Sequence, residues 1–241
     1  MAYKVAGCVF DVKATYDMVP RLLESFKDDG DPEMTIEILQ EEIDHERELS
    51  LQMDPDTDYS DRYLESLALL RKLPIRLLQE DVLLMHGSAV AVDGEVHIFT
   101  AKSGTGKSTH ARLWRELLGE RVIMVNDDKP FLKFGDKIMV CGTPWNGKHN
   151  LGTNTMLPLK AICLIEQAKE NSIKEISFVD ELPALIQQIY IPTKDANTAG
   201  KALELADKVF SGVKLYKLGA NMEPDAAKLS YETMSGKVLE K

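Results

Sequence analysis

The sequence predicts an α/β protein: a mixed β-sheet core that carries a phosphate-binding loop and is flanked by helices, with a small α+β region in front of it. Three observations predict this. An apolar run (Val96, Ile98, Phe99) leads into Ala101-Lys102-Ser103-Gly104-Thr105-Gly106-Lys107-Ser108, and a helical pattern follows at once with Leu113, Trp114, Leu117 and Leu118 on one face. A second apolar strand, 122–125, ends in Asn126-Asp127-Asp128. Short β patterns alternate with amphipathic helices around both, whereas residues 1–80 carry no chemical motif. The expected division is therefore an N-terminal α+β region (1–80) and a loop-bearing domain (81–241).

In chain order, residues 3–12 read as a strand and 16–26 as a short amphipathic helix after a Thr15 cap. A further strand is expected at 35–39, where Thr35 and Glu37 alternate with Ile36 and Ile38. The stretch 41–61 is acidic and turn-rich; it is expected as a solvated connector, with an acidic docking surface for a basic partner as the alternative. Ser60 then caps a long helix with Leu64, Leu67, Leu70 and Leu73 or Leu77 inward, kinked at Pro74. Residues 82–92 form a strand interrupted by His86-Gly87-Ser88. Asp93-Gly94 is a strong hairpin signal, so the His-Gly-Ser segment is expected alongside the strand that delivers the loop.

The loop itself is a phosphate cradle by composition. Gly104 and Gly106 permit backbone angles that side chains forbid and let successive N–H groups approach an anion. The helix that opens at Lys107 adds unpaired N–H groups and the positive end of its dipole. Ser103, Gly104, Thr105, Gly106, Lys107, Ser108 and Thr109 are the expected nucleotide contacts, Lys107 being the mobile point charge for the β- and γ-phosphates and the Ser108 hydroxyl a Mg²⁺ ligand. Ala101 stands where the usual pattern has its first glycine, a substitution that only a positive φ would forbid.

An apolar strand ending in carboxylates completes such a site: the apolar residues bury the strand and the acids emerge at its C-terminal edge. Adjacent carboxylates point differently, so of Asp127 and Asp128 one can hold the metal while the other accepts a hydroxyl proton. Downstream, 131–134 and 137–140 form a hairpin about Gly135-Asp136 and run into the polar loop 142–150, GTPWNGKHN. There Trp145 is either a loop anchor or a platform for substrate, and Lys148 and His149 are candidate phosphate contacts. The remaining elements are a buried strand at 160–166, helices at 179–190 and 195–210, a strand at 213–218, and a last helix at 224–234 with Pro at its start.

Composition narrows the function classes. A net charge of -10 opposes nucleic acid and anionic membranes as partners, so an anionic nucleotide needs a local positive site. Three scattered cysteines without a CxxC pair make neither a disulfide framework nor a zinc site and fit a reducing cytoplasm. No apolar run approaches the length of a membrane span, and none at the N-terminus reads as a signal peptide.

The segments HGSAVAVDGEVHIFTAKSGTGKSTHARLW and NDDKP, followed by GTPW, resemble the catalytic core of the HPr kinase/phosphorylase and phosphoenolpyruvate carboxykinase superfamily, most closely its small HPr-kinase-like serine kinases. The likeness covers residues 82–166. It implies an ATP-dependent phosphotransferase on a mixed sheet with Mg²⁺, in which Asp127 or Asp128 is the base for an acceptor hydroxyl and His86 tunes the aspartate. Lys107 joins them as a catalytic residue, and Ser108 with Asp128 is the assigned metal pair. No EVRG-type segment resembles that of true HPr kinases, and the chain is too short for a carboxykinase, so the expected acceptor is a hydroxyl, above all a serine, on a peptide, protein or small molecule. Two other readings stay open: a nucleotide-binding regulatory module without transfer, and simple nucleotide hydrolysis. Arg112 and Arg115 lie on the helix after the loop, where solvated helix charge is the plain expectation. Homo-oligomerisation is left open.

Overall fold

A computed structural model describes residues 1–239. The chain divides into two compact units, Met1–Glu80 and a second that begins at Asp81.

In the first unit, β1 (Ala2–Val5) and β2 (Cys8–Lys13) form an antiparallel hairpin, and β3 (Met34–Glu37) adds to β2 in parallel. The single strand expected over 3–12 is thus two. Ala6 and Gly7 both take positive φ, 52° and 80°, the signature of a primed two-residue turn. The expected helix at 16–26 is shorter: α1 (Met18–Leu22) gives way to a 3-10 turn over Glu24–Phe26. Thr15 does not cap it. The backbone N–H groups of Thr15 and Tyr16 instead donate to the fully buried carboxylate of Glu65, at 2.6 and 3.0 Å.

The acidic stretch expected as a connector is mostly helical, α2 (Gln40–Met53). Two of its acids turn inward. Glu46 is buried and paired with Arg71, Glu42 bonds Lys72 at 2.8 Å, and Glu42 also accepts the N–H of Leu39 at the helix start. Then α3 (Asp61–Leu77) follows Ser60 and buries Leu64, Ala68, Leu69, Leu73 and Leu77; Leu67 and Leu70 are only half-buried. The helix continues through Pro74 for three more residues.

The second unit is built on a nine-stranded mixed sheet. Its strands are β4 (Val82–Leu84), β5 (Ser88–Val92), β6 (Glu95–Thr100), β7 (Val122–Asn126), β8 (Phe131–Lys133), β9 (Met139–Cys141), β10 (Met156–Gln167), β11 (Ser172–Glu175) and β12 (Lys214–Ala220). Laterally the order runs β7-β5-β6-β10-β12-β11, with β6, β10 and β12 parallel to one another and the rest antiparallel to their neighbours. A branch of β4, β8 and β9 joins at Met156–Pro158 of β10, which makes that strand twelve residues long against the seven expected. The Asp93-Gly94 hairpin forms as expected, with φ of 53° and 82°. The polar edge strand β11 has no apolar alternation to announce it.

Of the helices, α4 (Lys107–Leu118) and α7 (Pro224–Ser235) share a core with Phe99, Tyr216 and Leu218, in which Trp114 meets Tyr231 edge-on at 5.5 Å. The helix expected over 179–190 reduces to a 3-10 turn and α5 (Leu182–Ile186). The Asp195 carboxylate caps α6 (Ala196–Gly212) by accepting from Thr198 N at 2.7 Å. No helix among the described residues is long and apolar enough to cross a membrane.

Candidate functional site

The loop of 101–106 leaves the C-terminal end of β6, in mid-sheet, and turns directly into α4. Gly104 and Gly106 have φ of 79° and 121° with open space where a Cβ would stand, so backbone conformation, not crowding, demands glycine there. Ala101 is buried and outside the positive-φ set, which explains why alanine serves. Lys107 is buried too. Its Nζ folds back across the loop and donates to the carbonyls of Ala101 and Lys102 at 3.0 and 3.4 Å. Burial holds the ammonium pKa below its ordinary value, with the nearby Asp128 charge opposing that shift.

Antiparallel pairing of β7 with β5, and of β5 with β6, carries the Asn126-Asp127-Asp128 turn to the edge of this loop. The two carboxylates have different surroundings. Asp127 is buried and accepts a hydrogen bond from Ser88 Oγ at 2.8 Å, with the Ser108 hydroxyl close enough to favour its ionised form. Burial pushes its pKa up; the bonds from Ser88 and Ser108 and the charge of His149 act the other way. Asp128 is half-buried, bonded to Lys129 Nζ at 2.6 Å and 3.4 Å from His86 Nε2. Burial, then Lys107, lowers the pKa of His86 against the pull of Asp128.

The His-Gly-Ser segment is tied into the site by its backbone. His86 N donates to Gln188 O at 2.7 Å, Thr100 Oγ1 donates to His86 O at 2.7 Å, and Gly87 N donates to Asp128 O at 2.9 Å. A Cβ on Gly87 would lie 2.7 Å from the Ile98 side chain and 3.0 Å from Phe99 O, so glycine is what allows this approach. Lys107, Ser108, Asp127, Asp128 and His86 are thereby drawn into one group, with Ser103 to Gly106 and Thr109 bordering it.

Two contributors escape a sequence reading. Asn126 is fully buried; its Oδ1 accepts from the N–H groups of Asp128 and Lys129 at 2.8 and 2.6 Å, and its Nδ2 donates to Thr143 Oγ1 and Asn146 Oδ1 at 2.9 and 2.8 Å. One amide thus shapes the aspartate turn and binds it to the 142–150 loop. The signal was present in Asn-Asp-Asp as a turn-forming side chain. The second is Gln188, buried beside His86, with Nε2 donating to Ala184 O at 3.1 Å. Gly142 seals the same loop: a Cβ would fall 2.0 Å from Thr153 O. Trp145 packs on Phe131 at 6.4 Å between ring centroids, and Arg112 pairs with Glu116 along its helix. His149 borders a cleft with Ser108, Arg112, Arg115 and Asp127.

Among the described residues no cluster of three or more His, Cys, Asp or Glu forms a metal cage. Magnesium held with a nucleotide needs only one or two protein oxygens, the rest coming from phosphate and water. The Ser108 hydroxyl and Asp127 carboxylate, which border one cleft, fit that requirement. Asp128, the metal ligand expected from sequence, faces His86 at 3.4 Å and Lys129 at 2.6 Å.

No protein-family model matches this chain, and no curated protein matches it. Among solved structures it is similar to the Hpr(Ser) kinase/phosphatase from Coxiella burnetii, at 10% identity and a TM-score of 0.34, over 64% of this chain and 93% of that one.

Proposed function

We propose that this protein is a kinase that transfers the γ-phosphoryl group of ATP, with Mg²⁺, to a hydroxyl of the serine type on a peptide, protein or small molecule. The observation that carries this reading is the meeting of a glycine-formed loop and buried Lys107 with two neighbouring carboxylates in different surroundings, Asp127 on Ser108 and Asp128 on His86.

The loop amides and Lys107 bind the phosphate chain and stabilise the charge that spreads over the transferred group. Ser108 and Asp127 would hold the metal, which supplies charge neutralisation at the β- and γ-oxygens. This moves the metal role from Asp128, as read in sequence, to Asp127. Asp128 takes the proton of the acceptor hydroxyl; the freed oxygen forms its bond to the γ-phosphorus as the bond to the β–γ bridging oxygen breaks, and ADP departs with that electron pair. His86 lies against Asp128 and orients it.

The test is incubation of the protein with Mg-ATP and pooled hydroxyl compounds and peptides, read by phosphorus NMR and mass. A new phosphoester supports the kinase. Free phosphate alone would indicate a hydrolase, and tight binding without product a sensor; either would overturn transfer.

A further inference from the structure

Two arginines follow the loop on α4, and they behave differently. Arg112 is exposed and pairs with Glu116 at 2.6 Å, one turn further on, as solvated helix charge does. Arg115 is half-buried, and among the described residues no hydrogen bond or ion pair engages its guanidinium. A cation that gives up part of its hydration loses free energy unless an anion meets it. Arg115 is therefore a cation in want of a partner.

It lines a cleft of about 420 Å³, a volume within the range of small-molecule sites. Ser108, Arg112 and Arg115 follow one another at i, i+4 and i+7, so they form a stripe on one face of α4. Met124 and Asp127, from β7 and the turn after it, line the same cleft. Pairing through β5 makes β7 run toward the loop, whereas α4 runs away from it. Ser108 and Asp127 thus share one end of the cleft, and Arg115 and Met124 the other. Asp127 is the one carboxylate in the lining, and Leu151 adds apolar wall. The triphosphate belongs to the loop and the first turn of the helix. Seven residues, roughly 10 Å of helix, separate Ser108 from Arg115, so an anion met by Arg115 is a second one.

We propose that this cleft seats the phosphoryl acceptor and that the acceptor is a small hydroxy acid, its carboxylate on Arg115 and its hydroxyl toward the aspartate turn. This rests on the kinase reading given above and narrows its acceptor to one chemical class. The cleft has the matching sequence of surfaces: a cationic end, an apolar middle at Met124 and Leu151, and the aspartate turn at the far end. A planar guanidinium takes a carboxylate through two parallel N–H bonds, which fixes the direction of the carbon chain as well as its charge. Asp127 does not compete for Arg115, because it is committed to Ser88 and to the metal end. A neutral polyol would fill the same space and leave the guanidinium unmatched, so the site discriminates against it.

The experiment gives the full chain Mg-ATP with glycerate, 3-hydroxybutyrate and 4-hydroxybutyrate, each beside its own amide, and reads phosphoester by phosphorus NMR. At least one acid is expected to be used about tenfold or more better than its amide in kcat/KM. Arg115→Gln should raise KM for that acid about tenfold, to the level of the amide, with little change in kcat, the mark of lost uniform binding. Arg115→Lys, which keeps the charge without the fork, should retain part of the preference; it decides the matter if circular dichroism shows Arg115→Gln unfolded. Acids and amides used equally, or a preference untouched in the folded variants, would overturn the carboxylate seat while leaving transfer intact. So would product from pooled peptides or polyols but from none of the acids. No phosphoester from any compound would instead overturn the kinase reading and this one with it.

Discussion

Lys107 and Asp127 illustrate how one burial acts in opposite directions on two side chains. Desolvation lowers the lysine and raises the aspartate, in each case toward the neutral form. For Asp127 the folded pKa stands above the unfolded one. Its contribution to stability is therefore full below the unfolded carboxylate value, and it is lost as pH rises through the raised folded value. Near neutrality the ionised carboxylate strains the fold it serves. Asp127→Asn is expected to raise the melting temperature of the nucleotide-free protein while lowering phosphoryl transfer, as checked by calorimetry and a transfer assay. Asp128→Asn should lose roughly 10²–10⁴ in rate with ATP affinity spared, and Lys107→Ala should cost roughly 10²–10³ through lost charge stabilisation. A transfer rate unchanged in Asp128→Asn would remove it as the base. The side chains in these predictions were legible in sequence because ammonium, hydroxyl and carboxylate carry their chemistry wherever they stand. Asn126 and Gln188 were not, because an amide becomes a positioning group only when burial leaves it specific partners.

At the scale of elements, what could be read was whatever local chemistry determines. Asp93-Gly94 makes its hairpin because two adjacent residues accept positive φ, and the loop-to-α4 passage forms because glycine ends where the apolar helical stripe begins. The Ala6-Gly7 turn obeys the same rule but was hidden inside an unbroken apolar run. The helix in place of the connector expected at 41–61 has a different cause: most of its acids are exposed as expected, but Glu42 and Glu46 find Lys72 and Arg71 on the next helix. Long-range pairing likewise lengthens β10, whose first three residues follow β9 and not the parallel strands. Glycine roles separate at this scale into two experiments. At Gly142 a Cβ would strike backbone, so Gly142→Ala is expected to lower stability by about 1–3 kcal/mol in urea titrations, as overpacking does. Gly104 has open space but positive φ, so Gly104→Ala should cost about 1 kcal/mol of stability and act chiefly on Mg-ATP affinity. Reversal of that ranking would mean the 142–150 loop is not sealed as its contacts indicate.

For the molecule as a whole, the division at Asp81 and the mixed sheet follow from how elements pair, whereas the response to acid follows from two histidines in one core. His97 packs against Trp114 at 5.1 Å and His110 against Phe99 at 4.7 Å; both are buried, and both are driven down to about 4. The Nδ1 atoms of both lack a hydrogen-bond partner, so neither ring has an acceptor there to hold a second proton. A depressed folded pKa has a definite sign. Above the unfolded histidine value both states are neutral and the fold loses nothing; below it the unfolded chain takes up protons that the folded one refuses, until the pH reaches about 4. These two groups alone are expected to lower the unfolding free energy by up to about 2.7 kcal/mol per pH unit across that window, and His86, also held down by burial, acts in the same direction. Asp127 opposes this only near its own raised value, and with one proton at most. Urea titrations at about pH 7, 6 and 5 should show the midpoint falling steeply with little change in slope. His97→Leu, which removes one of these groups, should make the fall shallower. A midpoint indifferent to acid, or one equally steep in His97→Leu, would show that these imidazoles do not stay neutral behind the loop helix.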